Sequence, residues 1–205
     1  LKTITKSSIL SVSLAAAFLI TPFSSISHAD AVTNQQNGTS VSLETSSANS
    51  KFVSDDFYEP VVMTEEDFAR AKRATVNEFV SPEDIRKNSG GITIMSDIFY
   101  SFSGLGAGRS ISSKQSVTTT KKTDIYLTLV QYNNYGNPPT GTYYLKNLNT
   151  GNMTSGKSVT GMYDHESKTI GWTNVLPGNY VVYIENTSKY ELEGNGFANA
   201  YYNYD

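Results

Sequence analysis

Along the second half of the chain, apolar and polar positions alternate with the two-residue period of strands. The clearest run is Thr123–Tyr132, in which Ile125, Leu127 and Leu129 face one way and Tyr126, Thr128 and Val130 the other. A dense set of turn formers, Tyr135-Gly136-Asn137-Pro138-Pro139-Thr140-Gly141, ends it. Similar runs cover residues 92–102, 110–119, 142–148, 157–163, 168–175, 179–185 and 197–204. About eight strands at short spacing, with little helical periodicity between them, predict an all-β fold over residues 92–205, an antiparallel β-sandwich.

Upstream the pattern changes to a helical period. Thr64 can cap the free amides of a helix, and Glu65, Glu66 and Asp67 fill its first turn, where the helix dipole favours acids. Phe68, Ala71, Thr75, Val76 and Phe79 then form a narrow apolar stripe, so one helix is predicted to run to about Val80. Ser81-Pro82-Glu83-Asp84 starts a second, with Ser81 as cap and Pro82 at the first helical position, and Gly90-Gly91 ends it. So thin a stripe needs another surface to lean on, and residues 64–91 read either as a permanent helical arm or as a pro-region clipped near Arg86-Lys87. Before them, residues 31–50 are mostly Ser, Thr, Asn, Gln and Gly and bury too little to order the backbone, which predicts a disordered acidic leader over 30–63. Its last part, from Phe52 to Met63, carries aromatic and aliphatic residues among acids and is expected to pack loosely on the downstream domain or to dock a partner.

Residues 1–29 have the layout of a secretory signal peptide. Lys2 and Lys6 precede an apolar, uncharged stretch from Ile9 to Phe23, and Ser27-His28-Ala29 supplies the small residues of a cleavage site. That stretch is shorter than the ~20 residues a membrane span needs. With no later apolar run of spanning length, no cysteine for lipidation and no sorting pentapeptide, the expected product is secreted and extracellular, bacterial in style, with no transmembrane segment.

Charge and composition sharpen the division. The formal charge is −3, and loss of the signal's two lysines makes it −5. All of that excess lies before residue 92, since residues 92–205 hold eight acids and eight bases, together with 13 of the 14 tyrosines. Such a balance excludes broad electrostatic capture of nucleic acid. The absence of cysteine excludes disulfides, thiolate catalysis and cysteine-ligated metal, leaving packing to hold the sandwich.

Two strands resemble a known family. Asp124-Ile125-Tyr126-Leu127-Thr128-Leu129, and Leu176-Pro177-Gly178-Asn179-Tyr180-Val181-Val182-Tyr183-Ile184-Glu185 followed by Tyr190-Glu191-Leu192, are similar to motifs of bacterial pre-peptidase C-terminal domains. The resemblance implies a β-sandwich accessory module with a binding role, and brings no catalytic residue. No peptidase domain precedes the motifs here.

Candidate chemistry is sparse. His165, within Tyr163-Asp164-His165-Glu166-Ser167-Lys168, is the one histidine of the processed chain, and the flanking pattern reads as a solvated hairpin turn. Asp97, Asp124, Glu185, Glu191 and Glu193 could form a carboxylate pair in principle, but read as a solvated surface. Ser103-Gly104-Leu105-Gly106-Ala107-Gly108 lacks the ending of a phosphate loop and reads as an inter-strand connection. No catalytic residue, metal ligand or cofactor is expected. What is left is aromatic: adjacent pairs such as Tyr143-Tyr144 must send one ring to each face of a strand, so some rings should meet solvent. Tyr126, Tyr132, Tyr135 and Trp172 are the expected exposed binding face, for an extracellular polysaccharide or a protein partner. A membrane-active effector released from a pro-region is the second reading.

Overall fold

The inward residues Ile125, Leu127 and Leu129 are fully buried in the computed structural model, and a similar alternation runs through Ile98, Tyr100 and Phe102 on the strand that begins at Ile94. The structure describes residues 51–88 and 94–202. The signal segment, residues 31–50 and the Gly90-Gly91 boundary lie outside them.

In chain order the elements are β1 (Val61–Val62), α1 (Glu65–Ala71), β2 (Thr75–Val76), α2 (Pro82–Asn88), β3 (Ile94–Leu105), β4 (Arg109–Ser112), β5 (Val117–Thr119), β6 (Thr123–Tyr132), β7 (Thr140–Asn147), β8 (Lys157–Thr160), β9 (Tyr163–Val175), β10 (Gly178–Asn186) and β11 (Leu192–Tyr202). They form a β-sandwich. A seven-stranded sheet runs β1-β4-β10-β7-β8-β2, with β5 also on β10, and a four-stranded sheet runs β3-β11-β6-β9. All pairs are antiparallel except β2 with β8, which is parallel. The inner faces meet in one core that includes Ile98, Leu127, Leu145, Ile170, Val182 and Ile184.

Three elements depart from the local pattern, each for a tertiary reason. β11 starts at Leu192 and not near Phe197, because its glycines serve the strand: a Cβ on Gly196 would sit 2.8 Å from the Tyr100 hydroxyl, in space that ring occupies. The chain turns at Gly161-Met162, so Tyr163–Lys168 is the beginning of β9, with a register shift opposite Leu129 and Gln131. The first helix stops at Ala71. Beyond it the edge of β8 offers backbone partners, so Thr75 N–H donates to Gly156 O (3.0 Å), Asn77 N–H to Ser158 O (2.8 Å), and Asn77 takes a left-handed φ of 50°. The start of each helix follows the sequence: Thr64 and Asp67 form a reciprocal capping box, and Ser81 Oγ accepts from the Asp84 amide at 3.1 Å.

Residues 52–80 wrap the sandwich as an arm. At one open side Val53 pairs with Ser103 of β3, Asp56 accepts from the Ser101 amide (2.9 Å), and Phe57 pairs with Ser113 just after β4, so the arm joins the two sheets. Phe57, 2% exposed, lies edge-on to Tyr100 and Phe102 at 5.4 and 5.5 Å. Burial of that ring contributes about 1.5–3 kcal/mol, and together with the backbone bonds of Val53, Asp56 and Tyr58 it orders a segment whose composition looks like leader. β1 then extends one edge of the larger sheet, α1 lies against its outer face, and β2 extends the opposite edge. At the second open side Val80 N–H donates to Thr169 O of β9 (2.7 Å), and Phe79 packs edge-on against Tyr163 (5.6 Å).

Candidate functional site

The Asn147–Lys157 connection and the strands β9 and β10 enclose a cleft of about 520 Å³ at one end of the sandwich. Its shape comes from local hydrogen bonding. Asn147 Oδ1 accepts from the amides of Asn149 (2.8 Å) and Thr150 (3.2 Å), its carbonyl accepts from Gly151, and Gly151 turns the chain with a φ of 76°. Thr154 exchanges two bonds of 3.0 Å with the backbone of Leu145, pinning the loop to β7. On the opposite wall Asn174 has a left-handed φ of 55°, and its amide donates to Asp124 Oδ1 at 2.8 Å. Asp124 is thus a buried brace for the cleft wall.

The floor is Trp172, whose Nε1 donates to Ser155 O (2.8 Å), beside Tyr180, whose hydroxyl donates to Leu176 O (2.9 Å). Around them stand amides, hydroxyls and the exposed Leu176, with no carboxylate, histidine or acid-base pair among the lining residues. The side-chain amides of Asn152 and Asn174 have no hydrogen-bond partner among the described residues. The one cation, Lys157, is engaged by Glu78 of the arm at 2.6 Å, which holds the Glu78 carboxyl below its ordinary range.

A second cleft of about 530 Å³ lies across the loop and shares Asn152, Met153, Thr154 and Ser155 with the first. Its other wall is Arg70 and Arg73 of the arm. Arg70 donates to Asp67 (2.6 Å) and to Glu185, and lies 5.3 Å from the centre of the Tyr144 ring. Burial pushes the Glu185 carboxyl above its usual range, with Tyr144 and Arg70 pulling the other way. Asp67 is also partly buried, but its bonds from Thr64 and Arg70 outweigh that and hold it low.

Of the four aromatic residues expected to form an exposed face, the structure brings two to this end and buries both. Trp172 is 4% exposed and belongs to the core, at the base of the first cleft. Tyr126 does point outward from β6, but it is 3% exposed. It meets the Tyr201 ring at 5.5 Å and lies over Gly171, where a Cβ would fall 2.6 Å from its Cδ1 and 3.4 Å from Val80 of the arm. Alternation gave its direction correctly, but the outer face is covered there. Tyr132, half-buried, and Tyr135, 64% exposed, belong to the far end of β6, where Asn133 Oδ1 accepts from the Tyr135 amide at 2.9 Å. The four do not make one face.

The carboxylates expected at the surface include three buried ones, Asp124, Glu185 and Glu193. His165 stands in solvent 3.5 Å from its neighbour Asp164, and the described residues contain no cluster able to hold a metal ion. No described helix is long and apolar enough to cross a membrane. Sequence reasoning missed Asn147, Asn152 and Asn174. The signal was the run Asn147-Leu148-Asn149-Thr150-Gly151-Asn152-Met153-Thr154-Ser155, which reads only as a loop until β9 and β10 are placed beside it.

No family model matches the chain, that of the pre-peptidase C-terminal domain included, and no curated protein matches it. Among solved structures it is similar to the isomalto-dextranase of Arthrobacter globiformis T6 complexed with panose, at 16% identity and a TM-score of 0.36 over 49% of this chain and 18% of that one. It is also similar to the CBM22-1–GH10 modules of the endo-1,4-β-D-xylanase 10B of Clostridium thermocellum complexed with xylohexaose, at 8% identity and a TM-score of 0.38 over 52% of this chain and 22% of that one. A third is the C-terminal CBM6 of a laminarinase, LamC, from Zobellia galactanivorans, at 13% identity and a TM-score of 0.34 over 49% of this chain and 79% of that one. The chain spans about a fifth of the length of the first two.

Proposed function

We propose that this protein is a non-catalytic, extracellular saccharide-binding module whose ligand lies in the cleft between the Asn147–Lys157 connection and Trp172–Tyr180. The observation that carries the reading is the lining: amides and hydroxyls, including the unengaged amides of Asn152 and Asn174, beside the exposed apolar side chain of Leu176 and over the largely buried Trp172 and Tyr180, with no carboxylate among them. Sugars present alternating C–H faces and hydroxyls, and such a surface answers both. Glycoside hydrolysis needs a pair of carboxylates at the bond to be broken, and this lining supplies neither. The arm is a permanent part of the module, since it contributes Phe57 to the core and Arg70 and Arg73 to the adjoining cleft.

Affinity electrophoresis in gels containing soluble glucans, xylans, mannans, galactans and polygalacturonate tests this. The wild-type chain is retarded by at least one polymer, and Asn152→Ala/Asn174→Gly, two exposed changes that leave the core and the backbone at 174 intact, runs close to the no-ligand position. Unretarded migration of the wild type in every gel, acidic polymers included, would defeat the reading.

A further inference from the structure

We infer that the site prefers an anionic saccharide, with Arg73 as the residue that selects the charge; this rests on the saccharide-binding reading of the cleft. The two clefts share the wall Asn152–Ser155, so a chain of sugars lying over that loop touches both. Their combined lining holds three bases, Arg70, Arg73 and Lys157, and no acid. Two of the bases are already engaged, Lys157 by Glu78 and Arg70 by Asp67 and Glu185. Arg73 is exposed and has no ionic or hydrogen-bond partner for its side chain among the described residues.

Its position is fixed by its neighbours. Arg73 N–H donates to Arg70 O (3.0 Å), Ala74 packs against Gly156 so closely that a Cβ there would lie 2.9 Å from its own, and Thr75 N–H donates to Gly156 O (3.0 Å). The arm and the loop are therefore held together at the mouth of the second cleft, and the guanidinium is carried on a rigid base. A guanidinium recognises carboxylate or phosphate by charge-assisted, often paired hydrogen bonds. Neutral sugar hydroxyls would fill the first cleft, and a carboxylate or phosphate on the same polymer would meet Arg73 in the second.

The test compares wild type, Arg73→Ala, Arg73→Glu and Arg109→Ala, an exposed control outside both clefts, by isothermal titration. The titrants are polygalacturonate against a neutral galactan for a carboxylate source, and a phosphomannan against a neutral mannan for a phosphate source. Wild type is expected to bind one of the acidic polymers roughly fivefold to tenfold more tightly than its neutral counterpart. Arg73→Ala removes that margin, Arg73→Glu reverses it, Arg109→Ala keeps it, and about 0.5 M salt erodes it in the wild type. Equal affinity of the wild type for neutral and acidic polymers, or an acidic preference untouched by Arg73→Ala, overturns the inference while leaving the saccharide reading in place. Binding to none of these titrants overturns the inference, and the saccharide reading falls with it only where the wild type is also unretarded in every affinity gel.

Discussion

Arg70 of α1 donates to the carboxylate of Glu185, a residue of the interior strand β10 with 0% solvent exposure. The pair ties the arm to the outer face of the larger sheet, above Tyr144. A strand position with no access to water is an unfavourable place for a carboxylate, and it is tolerable because the arm brings a guanidinium 115 residues distant in sequence.

Arg70→Ala, which leaves that carboxylate buried and unpaired, is expected to cost about 3–5 kcal/mol, whereas Arg70→Leu/Glu185→Leu recovers most of the loss. Urea unfolding followed by the fluorescence of Trp172 reads both. A loss below about 1 kcal/mol for Arg70→Ala would mean the pair behaves like a surface ion pair and does not anchor the arm.

A chain cut after Arg86 keeps its arm. The two pieces should co-elute in native buffer and separate in urea, because Phe57 sits in the core and the arm bonds to both open sides of the sandwich. Phe57→Ala in the uncut chain costs about 3–5 kcal/mol and, in the cut chain, frees the arm. Pieces that part in native buffer would instead mark residues 30–91 as a removable pro-region.

Acid should loosen the arm. Asp67 and Glu78 are both held below their ordinary values, so the stability they contribute is present above the unfolded carboxylate range near pH 4 and is lost as pH falls through their folded values. Glu185 acts with the opposite sign: its raised value favours the protonated form in the fold, a contribution present at low pH and lost as pH rises past the folded value. In a Glu185→Gln chain the acid effect stands alone, and the amides of Asn77 and Val80 should exchange faster below about pH 4. Adding Asp67→Asn and Glu78→Gln should abolish that acid step, and its persistence would place the sensitive groups elsewhere.

Asn174 separates backbone from side chain in the cleft. Asn174→Gly suits the φ of 55° and should leave stability within about 0.5 kcal/mol while weakening retention by glycan. Asp124→Ala removes the acceptor for the Asn174 amide and should lower both, with about 1–3 kcal/mol lost in stability. Full retention of glycan by Asn174→Gly would take that side chain out of the binding surface.

The sequence by itself determined the β-sandwich, because alternation is local: Ile125, Leu127 and Leu129 declare an inner face whatever they pack against. It also determined the two helix starts, since a cap satisfies amides only three residues away. Tertiary structure decided which outer faces meet water. Tyr126 and Tyr144 point outward as alternation requires, yet both are buried, Tyr126 over Gly171 and against the Tyr201 ring, and Tyr144 beneath Arg70 of the arm. The site was equally non-local. Its aromatic base was visible as Trp172, but the amides opposite are brought there by strand pairing, and the cations beside them by an arm whose course depends on burying Phe57. Short-range periodicity records the direction of a side chain along its own strand, and what covers that side chain is set by contacts between segments far apart in the chain.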